Sequence, residues 1–148
     1  MEQPAKKAEI SRNLRHLRVF LAVADVRSLT LASDICSVSQ PAVTQSISKL
    51  EAEAGGELFS RSRQGVFVTD RGEVLVRRVR RAFELLDPAL NDLSPRLPQI
   101  VTSTQLRALI AVREAENFSL AAKRLGVSQP TVHRAVSQLE SAAGRSLF

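Results

Sequence analysis

A cluster of polar, mostly uncharged side chains recurs at helical spacing early in the chain: Ser39, Gln40, Pro41, Thr44, Gln45 and Ser48. A glutamine amide can form two hydrogen bonds with adenine, and hydroxyl or small apolar groups can contact other base edges in the major groove. A helix face meant only for solvent is usually rich in Glu and Lys, yet neither occurs here before Lys49. The pattern favours base or phosphate contact over an ordinary solvated surface.

The same cluster occurs twice. A shift of 89 residues aligns the chain with itself without a gap, and residues 14–59 match 103–148 at 18 of 46 positions. Two copies indicate a duplicated domain rather than a solenoid. The second set of candidate DNA contacts is Ser128, Gln129, Pro130, His133, Arg134 and Ser137.

Two substitutions distinguish the second set from the first. His133 replaces Thr44, and it either alters the base preference or is an idle surface residue. Arg134 replaces Gln45, and it either bonds guanine or touches phosphate.

Three helices must position the first cluster. Apolar residues from Leu14 to Ala24 recur at helical spacing and predict the first helix. Thr30, like Ser119 in the second copy, is expected to cap a short second helix at 31–36. A tight turn follows at Ser37, where the second copy has Gly126.

The third helix is predicted to begin at Ser39 as N-cap, with Pro41 in its first turn. Its buried stripe consists of Val43, Ile47, Leu50 and Ala54. Gly55 and Gly56 are expected to end it. The candidate contacts lie on the opposite face, towards the helix N-terminus, which is where major-groove readers need them.

Residues 58–69 predict a β-hairpin, the wing, with its turn at Gln64-Gly65. Arg61 and Arg63 lie on the arm leading to this turn. Beside a recognition helix, they suit phosphate or minor-groove contact better than simple solvation.

A fourth helix is predicted from Asp70, capped by Thr69. An apolar stripe at heptad spacing predicts that it dimerises the protein: Leu75, Val79, Ala82 and Leu86. The competing interpretation is that this stripe packs against the chain's own first helix or second copy. Four nearby arginines favour a solvated face: Arg77, Arg78, Arg80 and Arg81. Pro88 is expected to interrupt the helix, with an inter-domain linker at 88–101.

Composition excludes several classes of protein. The net charge of +6 favours a polyanionic partner only weakly. One cysteine and two separated histidines exclude a disulfide and provide no metal or cofactor site. Cys36 is expected to be a buried hydrophobe rather than a redox sensor. No nucleophile–base pair or phosphate loop suggests an enzyme. The sequence contains neither a signal peptide nor a membrane-spanning segment, so the protein is expected to be cytoplasmic.

Several motifs together resemble the DNA-binding region of LysR-type transcriptional regulators. In the first copy they are Leu17-x-x-Phe20-x-x-Val23-Ala24, Ser28-Leu29-Thr30-x-Ala32, Val38-Ser39-Gln40-Pro41-Ala42-Val43, Ile47-x-x-Leu50-Glu51, Leu58-Phe59-x-Arg61 and Thr69-x-x-Gly72. In the second copy they are Phe118-Ser119-x-Ala121-Ala122, Leu125-Gly126-Val127-Ser128-Gln129-Pro130 and Leu139-Glu140. The two sets cover about two thirds of the chain.

The resemblance implies a mainly α fold with tandem winged helix-turn-helix domains joined by a long linker helix that dimerises the protein. We expect a flexible tail at 1–11, domain 1 at 12–69 (helix-turn-helix 29–48), a linker at 70–101 and domain 2 at 102–148 (helix-turn-helix 118–137). The second domain stops where its wing should follow, so we expect a truncated copy and either a fragment or a natural short protein. A small-molecule effector would bind only through a domain of periplasmic-binding-protein type that this chain lacks.

The predicted function is therefore sequence-specific binding of double-stranded DNA, as a homodimer and without a membrane partner. The alternative is a protein-interaction or dimerisation module in which one or both copies no longer bind DNA. That alternative predicts partner binding that is insensitive to salt and no retained affinity for duplex DNA.

Overall fold

A computed structural model describes residues 13–148, and the tail expected at 1–11 lies outside the described residues. The elements confirm a mainly helical fold: α1 Leu14–Val26, α2 Leu29–Cys36, α3 Gln40–Ala54, β1 Phe59–Ser62, β2 Gly65–Val68, α4 Asp70–Leu93, α5 Leu97–Ile100, α6 Ser103–Ala115, α7 Phe118–Leu125 and α8 Gln129–Ala143. The chain forms two compact units that divide inside α4, after Phe83.

The three helices of each copy have the same bounds after the 89-residue shift. Helix α1 corresponds to α6, α2 to α7 and α3 to α8, residue for residue at both ends. In each copy the three helices contact one another. This agreement confirms that the sequence repeat is a repeat of structure.

The second helix of each copy begins earlier than predicted. Ser28 caps α2, since its hydroxyl accepts a hydrogen bond from the Leu31 N–H at 3.2 Å. Asn117 caps α7 in the same way, accepting from Leu120. Thr30 and Ser119 already lie inside these helices, so the prediction that they are the caps was wrong. The capping residue needs extended backbone to aim its side chain at the helix, and Ser28 and Asn117 have it.

The core of the first unit forms where the three helices meet the hairpin. Phe20, Val23, Val43 and Leu50 are fully buried. The ring of Phe59 at the start of β1 lies 5.3 Å from that of Phe20, measured between centroids. Burial of Phe59 therefore fixes the base of the wing to the helical core.

The hairpin turn differs by one residue from the prediction. Ser62 pairs with Gly65, so Arg63 and Gln64 form the turn and Gly65 is the first residue of β2. Gly65 has φ +131°, a conformation that other residues rarely adopt, and an added Cβ would lie 2.9 Å from the Arg27 carbonyl oxygen. This close approach lets the Val66 N–H donate to the same oxygen at 3.1 Å.

Helix α4 begins as predicted but continues past its proline. The Thr69 hydroxyl accepts a hydrogen bond from the Gly72 N–H at 3.1 Å, which caps the first turn. Pro88 lies within the helix, which ends only at Leu93. Pro88 has no N–H to donate to the carbonyl of Glu84, an exposed residue, and Leu90 in the following turn is buried. The predicted linker at 88–101 is therefore largely helical.

The apolar stripe of α4 is not a free dimerisation surface. Leu75 and Val79 are each only 6% exposed in the single chain. Leu86 is half-buried, and only Ala82 is exposed. The same 4–3–4 spacing serves packing within one chain as well as between chains, and here the competing interpretation holds for the first two residues.

The second unit has a smaller, alanine-rich core. Its buried cluster comprises Ala108, Ala111, Val112, Ala121, Ala122, Val132, Ala135 and Val136. Leu90, Leu97 and Leu139 are also buried in this unit.

Candidate nucleic-acid interface

The N-terminal half of α3 presents the predicted cluster on one surface. Ser39 caps the helix by accepting from the Ala42 N–H at 3.3 Å, and Pro41 occupies the first turn, as predicted. The next residues line one shallow, open depression: Gln40, Pro41, Thr44, Gln45 and Ser48. On the opposite side, Val43, Ile47 and Leu50 are buried, so the helix cannot rotate without exposing its core.

The polar side chains of this depression are available to a ligand. Within residues 13–148, no side-chain hydrogen bond, ion pair or ring contact engages Gln40, Thr44 or Gln45. An amide that keeps its donors and acceptor unpaired at a surface can form two hydrogen bonds with a base edge without first breaking contacts within the protein.

The wing arginines are exposed but lie apart from this depression. Arg61 belongs to β1 and lines a separate groove that also contains Glu51 and Glu57. Arg63 lies in the hairpin turn rather than on the arm. Of the predicted residues of the first copy, the structure brings together those of α3 and leaves the two arginines on the wing.

Sequence reasoning missed the residues that attach the wing to the helices. The Glu51 carboxylate accepts hydrogen bonds from the N–H groups of Leu58 and Phe59, at 2.9 and 3.3 Å. The Arg71 guanidinium donates to the Ala54 carbonyl at 2.6 Å. A signal was present for the first of these residues, since the Leu-Glu pair recurs as Leu139-Glu140.

Glu140 makes the corresponding backbone contact in the second copy, which has no wing in this chain. Its Oε1 accepts from the Leu147 N–H at 2.7 Å and from the Ser146 hydroxyl at 3.2 Å. The backbone hydrogen bond from Leu147 lowers the pKa of this carboxyl below its ordinary value, because it favours the charged form.

The corresponding surface of α8 keeps its predicted residues exposed but engages some of them. Ser128 caps the helix and its hydroxyl lies 2.7 Å from that of Thr131. Pro130, Arg134 and Ser137 are exposed on the same helix. Gln129 and His133 contact other side chains of the second unit.

Three residues outside this interface have surroundings that the sequence did not predict. Cys36 is only half-buried, and burial raises the pKa of its thiol, which disfavours the reactive thiolate. Arg80 is not merely solvated, because it forms an ion pair with Asp25 at 2.7 Å. The Arg18 guanidinium lies 4.0 Å above the ring of Phe83, so two cationic contacts join α1 to α4.

The described part of the chain contains neither a membrane-spanning helix nor a cluster of metal ligands. No helix in residues 13–148 is both long and apolar enough to cross a lipid bilayer. Among these residues, no group of histidine, cysteine and carboxylate side chains has the arrangement that a metal ion requires.

Both copies match one protein family. The sequence profile of the bacterial regulatory helix-turn-helix proteins, lysR family, matches residues 14–73 and 103–148. HTH-type transcriptional regulator GalR of Pseudomonas putida is 32% identical over 139 residues, which are 92% of this chain and 35% of GalR. Because that alignment includes so much of the chain, it runs through both copies. The chain spans about a third of the length of GalR.

Other relatives match a smaller part of the chain. HTH-type transcriptional regulator BudR of Klebsiella aerogenes is 42% identical over 77 residues, which are 52% of this chain and 54% of BudR. The crystal structure of a BenM_DBD/catB site 1 DNA complex has 32% identity and a TM-score of 0.50, covering 53% of this chain and 88% of that one. CbnR, a LysR family transcriptional regulator, has 34% identity and a TM-score of 0.50, over 56% of this chain and 28% of CbnR.

Proposed function

This chain belongs to the LysR family of bacterial regulatory helix-turn-helix proteins, and from that membership we propose that it binds double-stranded DNA sequence-specifically as the N-terminal part of a transcription regulator. The observation that carries the proposal is the surface of α3, where unengaged amide and hydroxyl groups line one depression. The likeness to BenM_DBD, whose complex with DNA is known, supports it. Such a regulator acts in the cytoplasm, where bacterial DNA lies.

The two parts of the first domain have different tasks in this proposal. Gln40 and Thr44 contact base edges in the major groove, because they lie within the first two turns of α3. Arg61 and Arg63 bind the phosphate backbone, because they are exposed cations on the wing. The bases are thereby read by uncharged groups, while charge supplies most of the affinity.

We also propose that the protein acts as a homodimer that uses α4. Leu75 and Val79 are buried in the first unit and cannot contribute, but two other apolar side chains of α4 are exposed: Val74 at 41% and Leu85 at 65%. Exposed leucine on a helix favours pairing with a second copy, because burial of a leucine stabilises by about 1.5–3 kcal/mol. An effector would act through a further domain.

Salt titration of DNA binding tests the main proposal. A pool of random-sequence duplexes is titrated with the 148-residue chain at several salt concentrations. Each neutralised phosphate releases counterions, so the logarithm of the affinity should fall linearly with the logarithm of the salt concentration, by about 0.9 per phosphate contact. Absence of binding at low salt would refute the proposal. An affinity for DNA that does not change with salt would also refute it, and loss of all duplex binding would favour the protein-interaction module.

A further inference from the structure

The second copy presents different hydrogen-bonding groups from the first, because two of its polar residues are already engaged. The Ser119 hydroxyl donates to Oε1 of Gln129 at 2.9 Å. Nε2 of Gln129 lies 3.5 Å from Nε2 of His133. The His133 ring stacks on Phe118, with centroids 3.9 Å apart and planes 2° from parallel. Reorienting the Gln129 amide towards a base would break its contacts with both neighbours.

Arg134 is the long polar side chain that remains available on this face. It is exposed, and no hydrogen bond, ion pair or ring contact engages it within residues 13–148. Its neighbours one turn away along α8 are uncharged: Pro130, Thr131, Ser137 and Gln138. No carboxylate at these positions neutralises the guanidinium, which is therefore free to bind a ligand that offers acceptors.

The chemistry of a guanidinium differs from that of the amide at the corresponding position of the first copy, Gln45. An amide both donates and accepts, which matches the N6 donor and N7 acceptor of adenine. A guanidinium only donates, and its fork matches the O6 and N7 acceptors of guanine. The exchange therefore changes which base edge the helix can bind with two hydrogen bonds.

We infer that the second copy prefers guanine through Arg134, whereas the first copy prefers adenine through its amides, so that the protein recognises a composite DNA site with two unlike elements. This inference rests on the proposed function, since it requires both copies to enter the major groove. It assigns Arg134 as a specificity-determining residue and leaves His133 and Gln129 as a packed pair beside it.

Selection of bound duplexes from a random pool tests the inference, using the 148-residue chain. Wild type should select two unlike elements, one containing adenine and one containing guanine. Replacing the guanine pair by an A·T pair should weaken binding about 5- to 150-fold, the range expected for loss of one bidentate contact. Arg134→Gln should reduce this discrimination to less than about twofold. The double variant H133T/R134Q gives α8 the residue pair of α3 and should select the adenine element twice.

Arg113→Gln is the matched control, because it removes one exposed arginine of the second copy outside α8. It should leave the selected sequence unchanged, and circular dichroism should show unchanged helix content in all variants. If Arg134→Gln weakens every duplex equally, Arg134 binds phosphate and the inference is wrong. If wild type selects two like elements, it is also wrong. If no duplex is enriched even at low salt, the proposed function itself fails.

Discussion

Among single residues, Gln40 and Thr44 illustrate why the capped end of α3 suits base recognition. Both lie close to the Ser39 cap, and the buried residues on the opposite side prevent the helix from turning them away. Thr44 is half-buried in the depression while Gln40 is fully exposed. Their positions are thus set by the core before any DNA is bound, which lowers the entropy cost of binding.

Gln40→Ala should remove a base contact without affecting the fold. We expect a loss of about 1–3 kcal/mol on the preferred sequence and a relaxed preference at one base pair. Arg63→Ala is the comparison, and it should weaken binding to all sequences alike. The slope of the logarithm of the affinity against the logarithm of the salt concentration should become less steep by about one. Competition titrations with single-base-pair variants of the selected duplex measure both. An unchanged sequence preference in Gln40→Ala would refute its assignment.

Among the elements, the wing depends on close contact between the segment that precedes β1, residues 54–58, and the start of α4. Gly72 lies in the first turn of α4, and a Cβ added there would overlap the Leu58 carbonyl oxygen. Arg71 and Thr69 fasten the same junction from either side, by hydrogen bonds to the carbonyls of Ala54 and Glu57. Position 72 therefore requires glycine, which has no side chain.

Gly72→Ala should shift the wing or destabilise the first unit, because backbone must move to make room. Overpacking of this kind costs about 1–3 kcal/mol. Arg77→Ala is the matched control on an exposed turn of the same helix and should change stability by less than about 0.5 kcal/mol. Urea denaturation followed by circular dichroism gives both values. Equal midpoints for Gly72→Ala and wild type would contradict the requirement for glycine.

The sequence was sufficient to predict the helices, the repeat, the Ser39 cap and the residues that share the α3 surface, because all depend on local spacing. It was insufficient where a contact between residues far apart in the sequence determines the local structure. The turn at Arg63-Gln64 depends on the carbonyl of Arg27, which is remote in sequence. The stripe of α4 has the same spacing whether it packs within one chain or between two. Pro88 lies within α4 although its ring removes a helical hydrogen bond, and the buried Leu90 follows two residues later.

For the whole molecule, duplication gives one chain two candidate DNA-contacting surfaces. A homodimer would carry four third helices, two of each kind. Most oligomers close with two-fold symmetry. The recognition helices of a dimer contact DNA half-sites about 34–36 Å apart. The composite site would then occur twice in inverted orientation, which makes the oligomeric state a decisive measurement.

Leu85→Glu should convert the homodimer to a monomer, since it places a charge on an apolar side chain that is 65% exposed in the single chain. Leu120→Glu is the control, because it changes an exposed leucine of a different helix, α7. Multi-angle light scattering over a range of concentrations distinguishes the two species. A wild type that is monomeric at the highest concentration would refute dimerisation through α4.

The identical bounds of the two copies create a competition during folding. Helix α3 buries Val43, Ser46, Ile47 and Leu50, and α8 buries Val132, Ala135, Val136 and Leu139 at the same positions. A newly made chain therefore contains two third helices of nearly the same shape and two clefts that could accept either, which is the setting in which tandem domains misassemble. The core-facing residues that differ between the copies, such as Phe20 against Leu109 and Val19 against Ala108, distinguish one cleft from the other. The similarity that gives the chain two candidate DNA-contacting surfaces therefore favours a folding order in which the first copy is complete before the second is made.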